Sequence, residues 1–230
     1  MIKITINGRE IQVPKGTMVL DACQQAGVDV PTLCYDQDLK LAGSCRMCVV
    51  EAKGRPNLMA ACVSPAENGM VIETESPDVV ESRKIILELL LARHKLECHT
   101  CEKDGNCKLQ DYCYRYGVAD SRYAGQGPHF GMEDPNPFFK RDYDKCIMCT
   151  RCVRVCDEIT GAQAINVKHR GHHAKIATVF DGRLADSSCV FCGQCVMVCP
   201  VGALTSKVSA GKGKSYQTQN VLTTCTYCGT

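Results

Sequence analysis

Tryptophan is absent, phenylalanine numbers only five, and lysine plus arginine exceed aspartate plus glutamate by just two charges. Such a balance gives no argument for nucleic acid as a partner, which needs a basic face. Long apolar runs are missing as well. The longest, Ile85 to Ala92, is short and broken by Glu88, so the sequence offers no membrane span. The chain opens MIKITING, an alternating strand pattern rather than the apolar block of a secretory signal. Without that secretory context a disulfide framework is disfavoured, and a reducing cytoplasm is the expected compartment. The 230 residues leave room for two or three small domains. What is abundant is cysteine, with 19 copies, and the remaining reason for such abundance is metal.

Two runs dominate: Cys146-x2-Cys149-x2-Cys152-x3-Cys156, then Cys189-x2-Cys192-x2-Cys195-x3-Cys199 followed by Pro200. This spacing holds paired [4Fe–4S] clusters in bacterial-type ferredoxins, where the fourth cysteine of each run ligates the other cluster. The expected sets are Cys146, Cys149, Cys152 and Cys199 on one cluster, and Cys189, Cys192, Cys195 and Cys156 on the other. Zinc is the competing metal, but its structural sites use two separated C-x2-C pairs, which these runs fit poorly. Soft thiolates around iron point to electron transfer.

At the N-terminus Ile2, Ile4 and Ile6 alternate with polar residues, Asn7-Gly8 supplies a type I′ turn, and Ile11 and Val13 alternate on the return. A short helix is expected over residues 17–27, with Cys23 on its apolar face as a small core residue. Cys34, Cys45, Cys48 and Cys62 follow as C-x10-C-x2-C-x13-C. The first gap is longer than in plant-type ferredoxins, but the loop Gly43 to Cys48 lets backbone N–H groups approach cluster sulfurs, and a [2Fe–2S] site is expected. The stretch resembles the β-grasp [2Fe–2S] domain that opens the complex I 75-kDa subunit and [FeFe] hydrogenases. A zinc loop is the plainer alternative.

Ser76-Pro77-Asp78 reads as a capped helix start, and Val79, Ile86, Leu90 and His94 fall near one face, with Leu87 and Leu91 beside them. The helix is expected to end close to Leu96. The motif His94-x3-Cys98-x2-Cys101-x5-Cys107 begins there and resembles the His/Cys3 [4Fe–4S] cluster of the same families. Replacing one thiolate by histidine removes a negative charge and should raise the reduction potential. His99 is the rival ligand, with less reach between two cysteines. Cys113 is read as packing in a short helix.

The fold class is therefore α+β: a β-grasp [2Fe–2S] domain (1–76), a small helical His/Cys3 segment (77–119), a linker (120–137) and a bacterial-type 2[4Fe–4S] ferredoxin-like domain (138–205). The two long cysteine runs form one internal repeat offset by 43 residues. Strands are expected over 164–167 and 175–180. The loop holding His169, His172 and His173 is read as a solvated hairpin tip rather than a zinc site. Residues 206–220 read as a flexible connector. Fifteen cysteines and His94 fill the expected sets, leaving Cys23, Cys113, Cys225 and Cys228.

The last ten residues, 221–230, carry Cys225-x2-Cys228. They resemble the start of the molybdopterin-binding domain of cytoplasmic NAD- or ferredoxin-linked formate dehydrogenases, where such a pair opens a further [4Fe–4S] site. Here that site is incomplete. This resemblance implies a relay between a molybdenum or tungsten bis-pterin formate/CO2 centre and a flavin- and NAD(P)-binding iron–sulfur subunit or ferredoxin. It places the [2Fe–2S] centre at the outlet and no catalytic residue within these 230 positions. The alternatives are the electron-input region of an [FeFe] hydrogenase and a stand-alone multi-cluster carrier. The complex I subunit ranks behind them, on the expectation that it lacks the double ferredoxin motif.

Overall fold

Alternation at the N-terminus becomes strands β1 (Ile2–Ile6) and β2 (Arg9–Val13), paired antiparallel with Ile4 opposite Ile11. Asn7 and Gly8 sit at φ 48° and 79°, both left-handed, as a type I′ turn requires. With β3 (Val49–Ala52), β4 (Met59–Ala60) and β5 (Val71–Glu73) they form a sheet ordered β2-β1-β5-β3-β4, in which β1 and β5 run parallel. Helix α1 (Val19–Gln25) buries Val19, Leu20, Ala22 and Cys23 against Ile4, Ile6, Val13, Val50 and Ile72. Each buried valine, leucine or isoleucine among them contributes about 1.5–3 kcal/mol by leaving water. A helix clasped by a mixed sheet is the β-grasp. The computed structural model describes residues 1–123, 128–133, 136–219, 221, 222 and 224.

Helix α2 (Pro77–Leu91) starts where proline is best tolerated, yet the Ser76 hydroxyl makes no capping bond and is buried without a partner. It stops at Leu91, five residues before the expected end. Its buried stripe is Val79, Arg83, Leu87 and Leu91, one residue per turn, while Ile86 and Leu90 are only half-buried. Helix α3 (Lys108–Tyr116) ends on Gly117 at φ 66° and packs on α2. The Tyr112 hydroxyl accepts from Thr32 N (3.0 Å) and donates to Thr32 O (3.2 Å), which ties α3 to the β-grasp loop.

Strands β6 (Met132–Glu133) and β7 (Phe139–Asp142) join β10 (Leu204–Ser206) in a sheet ordered β10-β7-β6. Part of the stretch expected as linker is thus a sheet edge. The remaining elements are helix α4 (Arg151–Arg154), which runs on into a π turn over Val155–Ile159, the paired strands β8 (Asn166–Lys168) and β9 (Lys175–Ala177), and helix α5 (Gln194–Met197). Residues 164 and 165 precede β8. Phe180, expected in the second strand, instead lies beyond it at φ 57° and is 98% exposed. His169, His172 and His173 are exposed at the hairpin tip.

The repeat is carried into the backbone. Helices α4 and α5 begin 43 residues apart, at Arg151 and Gln194. Met148 and Phe191 (φ 54° and 52°) and then Thr150 and Gly193 (φ 59° and 80°) repeat the same left-handed turns before them.

The expected flexible connector departs from that expectation. Lys214 Nζ donates to the carbonyls of His99 (3.2 Å) and Cys101 (2.6 Å), and Ser215 Oγ donates to Asp104 O (3.4 Å). Tyr216 covers Gly105 so closely that a Cβ there would collide with its ring. Polar composition suggested solvation; here those polar groups are used on a neighbouring loop.

Candidate metal centres

Cys34, Cys48 and Cys62 are each 1% exposed, and Cys45 is half-buried beside them. The loop crosses itself here. Cys34 N donates to Cys45 Sγ (3.4 Å), Cys45 N donates to Cys34 Sγ (3.5 Å), and the Cys48 and Cys62 sulfurs lie 3.3 Å apart. Arg46 at φ 62° and Gly43 at φ 60° supply the turns, and a Cβ on Gly43 would crowd Val63. Thiol bonds from Cys45 and Cys62 hold Cys34 far below the usual thiol range, and a bond from Cys62 brings Cys48 to about 7. All four expected residues are together.

His94, Cys98, Cys101 and Cys107 line one cavity with Lys95, Glu97, Lys103, Asp104, Gln110, Lys145 and Gly202. His94 Nδ1 is buried with no hydrogen-bond partner. Burial, then the Lys145 charge, draws the imidazole down to about 4, so it is neutral and free to donate a lone pair. His99 is exposed and outside this cavity. Gly202 comes from the ferredoxin-like region, and a Cβ on it would strike Cys101 Sγ. Cys113 packs half-buried in the adjoining core, its thiol pushed up to about 11 by burial.

In the ferredoxin-like region the crosswise sets occupy separate cavities. Cys146, Cys149, Cys152 and Cys199 line one, with Ile147, Ile176 and Val201; Cys156, Cys189, Cys192 and Cys195 line the other, with Phe139, Leu184 and Phe191. Ile165, Leu204 and Arg141 line both and stand between them. Met148 N donates to Cys146 Sγ and Phe191 N to Cys189 Sγ, each at 3.4 Å, so the repeated turns aim amides at sulfur. Burial raises Cys146 to about 11 and Cys149 and Cys195 to about 12.

Thiols so disfavoured as anions need a positive core to serve as thiolates, which a polynuclear iron centre supplies. The aimed amides and the orphaned His94 nitrogen suit the same group, so these donor sets fit iron–sulfur clusters. Among the described residues no three His, Cys, Asp or Glu side chains are grouped to hold a single metal ion. Cys225 and Cys228 lie outside the described residues.

Sequence reasoning missed three arginines at these sites. Arg154 Nη1 donates to Lys40 O (2.6 Å) and its Nη2 to Cys34 O, while Arg151 pairs with Asp36. The helix beside Cys152 therefore grips the [2Fe–2S] loop. Arg83 is fully buried behind Cys48. Its one-per-turn spacing with Val79, Leu87 and Leu91 was the available signal.

Three family models match: a 2Fe-2S iron-sulfur cluster binding domain over residues 1–77, an NADH-ubiquinone oxidoreductase-G iron-sulfur binding region over 83–122, and the ferredoxin-like domain of NADH-quinone oxidoreductase subunit 3 over 136–205. The chain is 40% identical over 217 residues to the G subunit of NADH-quinone oxidoreductase from Rickettsia bellii, covering 94% of the chain and 31% of that protein. It is 42% identical over 209 residues to NADP-reducing hydrogenase subunit HndD of Solidesulfovibrio fructosivorans, covering 89% and 36%. Similarity to a second form of the NADH-quinone oxidoreductase G subunit, from Rhizobium meliloti, stands at 40% identity and runs through 100% of the chain and 27% of that protein. The chain thus spans about a third of the length of the curated relatives it matches. A crystal structure of NAD+-reducing [NiFe]-hydrogenase in the H2-reduced state superposes with a TM-score of 0.84 at 32% identity, covering 92% of this chain and 90% of that one.

Residues 136–205, which hold both cysteine runs, match a ferredoxin-like domain model named for NADH-quinone oxidoreductase subunit 3. The chain belongs to the family of iron–sulfur electron-transfer regions represented by the G subunit of NADH-quinone oxidoreductase and the corresponding NAD(P)-linked hydrogenase subunits.

Proposed function

We propose that the chain holds four clusters in one relay: a [2Fe–2S] on Cys34, Cys45, Cys48 and Cys62, and [4Fe–4S] clusters on His94/Cys98/Cys101/Cys107, on Cys146/Cys149/Cys152/Cys199 and on Cys156/Cys189/Cys192/Cys195. The observation that carries this is the crosswise sorting of eight cysteines onto two cavities split by Ile165 and Leu204. When bound, such clusters accept and release single electrons. The chain's own residues supply ligation, exclusion of water and charge. Leu204 and Ile165 stand between the paired sites, Met148 and Phe191 direct amides at sulfur, and Lys145, paired with Asp142 and Glu97, stands beside the histidine site.

For the whole protein, we propose a formate dehydrogenase. Its molybdenum or tungsten bis-pterin domain would exchange electrons through this relay with a flavin- and NAD(P)-bearing subunit or a ferredoxin. The Cys225-x2-Cys228 tail supports it. A second reading, an NADH dehydrogenase or hydrogenase subunit, is favoured by the Rhizobium meliloti similarity, which runs through that same tail.

Anaerobically purified full-length protein tests both levels. Iron and acid-labile sulfide should match one two-iron and three four-iron centres, with paramagnetic signals after dithionite; a colourless, sulfide-free preparation overturns the relay. Formate-dependent dye reduction with bound molybdenum or tungsten supports the formate reading. NADH- or hydrogen-dependent reduction without formate activity supports the second.

A further inference from the structure

Arg83 is the largest fully buried side chain of the described residues and the only charged one among them, with a side chain 0% exposed. A cation taken that far from water is tolerated only where most of its N–H groups are satisfied. Nε donates to Met47 O (3.2 Å) and Nη2 to Val49 O (2.8 Å), the two carbonyls that flank Cys48. Nη1 donates to the Tyr116 hydroxyl (2.7 Å) and to Glu75 Oε1 (2.9 Å). Glu75 is 44% exposed and shared with Arg115, so water and a second cation dilute its compensation. The guanidinium thus sits against the backbone on both sides of Cys48, with its one carboxylate partner shared and partly in solvent. The Arg83 charge is felt in the β-grasp core, where burial pushes the Cys23 thiol up to about 11 and the guanidinium works against that rise.

The same helix places His94 just beyond its C-terminal end. One rigid element thus delivers a cation to the first cluster loop and a neutral ligand candidate to the second.

Resting on the cluster reading above, we infer that Arg83 is a positioning residue for the two-iron site, holding the Cys48 loop by its carbonyls while its buried charge raises that centre's reduction potential. Reduction adds a negative charge to the centre, and a nearby cation stabilises the reduced form. Removing the cation therefore lowers the potential, and removing its counter-ion raises it. A purely structural clamp would not reverse sign between the two changes.

The test is a potentiometric titration followed by electron paramagnetic resonance, on full-length protein carrying Arg83→Met, Arg83→Lys or Glu75→Gln. The [2Fe–2S] midpoint should fall in Arg83→Met, stay near wild type in Arg83→Lys and rise in Glu75→Gln, while the [4Fe–4S] midpoints hold. If Arg83→Met loses the centre, Glu75→Gln decides: a rise supports the inference and an unmoved midpoint overturns it. Shifts of the same sign in Arg83→Met and Glu75→Gln also overturn it. A wild-type protein with no two-iron signal would instead overturn the cluster assignment.

Discussion

The two halves of the ferredoxin-like repeat share spacing, left-handed turns and helix offsets, yet their surroundings differ. Around the first set Cys149 and Cys199 are 8% and 7% exposed, and burial pushes Cys152 well above the usual thiol range. In the second set Cys192 is exposed, with Val190 and Met197 bare at 67% and 79%. On the proposed cluster reading, like cysteine spacing in unequal dielectric makes unequal centres. The sheltered site resists the extra charge of reduction more than the exposed one, so its potential should lie lower.

The largest effect expected from breaking this pair is loss of a cluster. Cys199→Ser should abolish the signal of the sheltered centre, and Cys156→Ser that of the exposed one. In paramagnetic resonance each variant should lose the centre of the other run, and loss of its own run's centre would refute the crosswise ligation. Next comes the shared wall. Leu204→Ala should cost about 2–5 kcal/mol and loosen both sites, whereas Ile176→Ala should disturb only the sheltered one, read by denaturant midpoints and iron content.

Metal removal sharpens the contrast in exposure. An iron chelator should strip the exposed centre several-fold faster than the sheltered one, followed by the decay of each signal. The smallest effect lies in the turns. Thr150 holds a β-branched side chain at φ 59° where the other half uses Gly193 at φ 80°. Thr150→Gly should stabilise by about 1 kcal/mol and Gly193→Thr destabilise by about 1–2 kcal/mol, measured by thermal unfolding under anaerobic conditions.

Much of this was legible because it is local. Asn7-Gly8 declares its turn, the 43-residue offset declares the repeat, and fixed cysteine spacing points to crosswise cavities before any packing is known. What stayed hidden depends on distant partners. Arg83 shows its helix-face spacing in the sequence but not its partners Met47, Val49 and Tyr116, and Ser76 reads as a cap although its hydroxyl bonds to nothing. Phe180 has strand chemistry, but its left-handed backbone takes it out of the sheet. The proposed formate-oxidising domain rests only on Cys225 and Cys228, a signal that relatives with other printed names can share.

Lys214 grips the carbonyls of His99 and Cys101, and the Tyr216 ring packs against Gly105. The chain therefore passes Thr218 from a mooring rather than a slack tether. Tension applied downstream reaches the Cys101 loop before it reaches any strand, so that loop yields first when the chain is stretched.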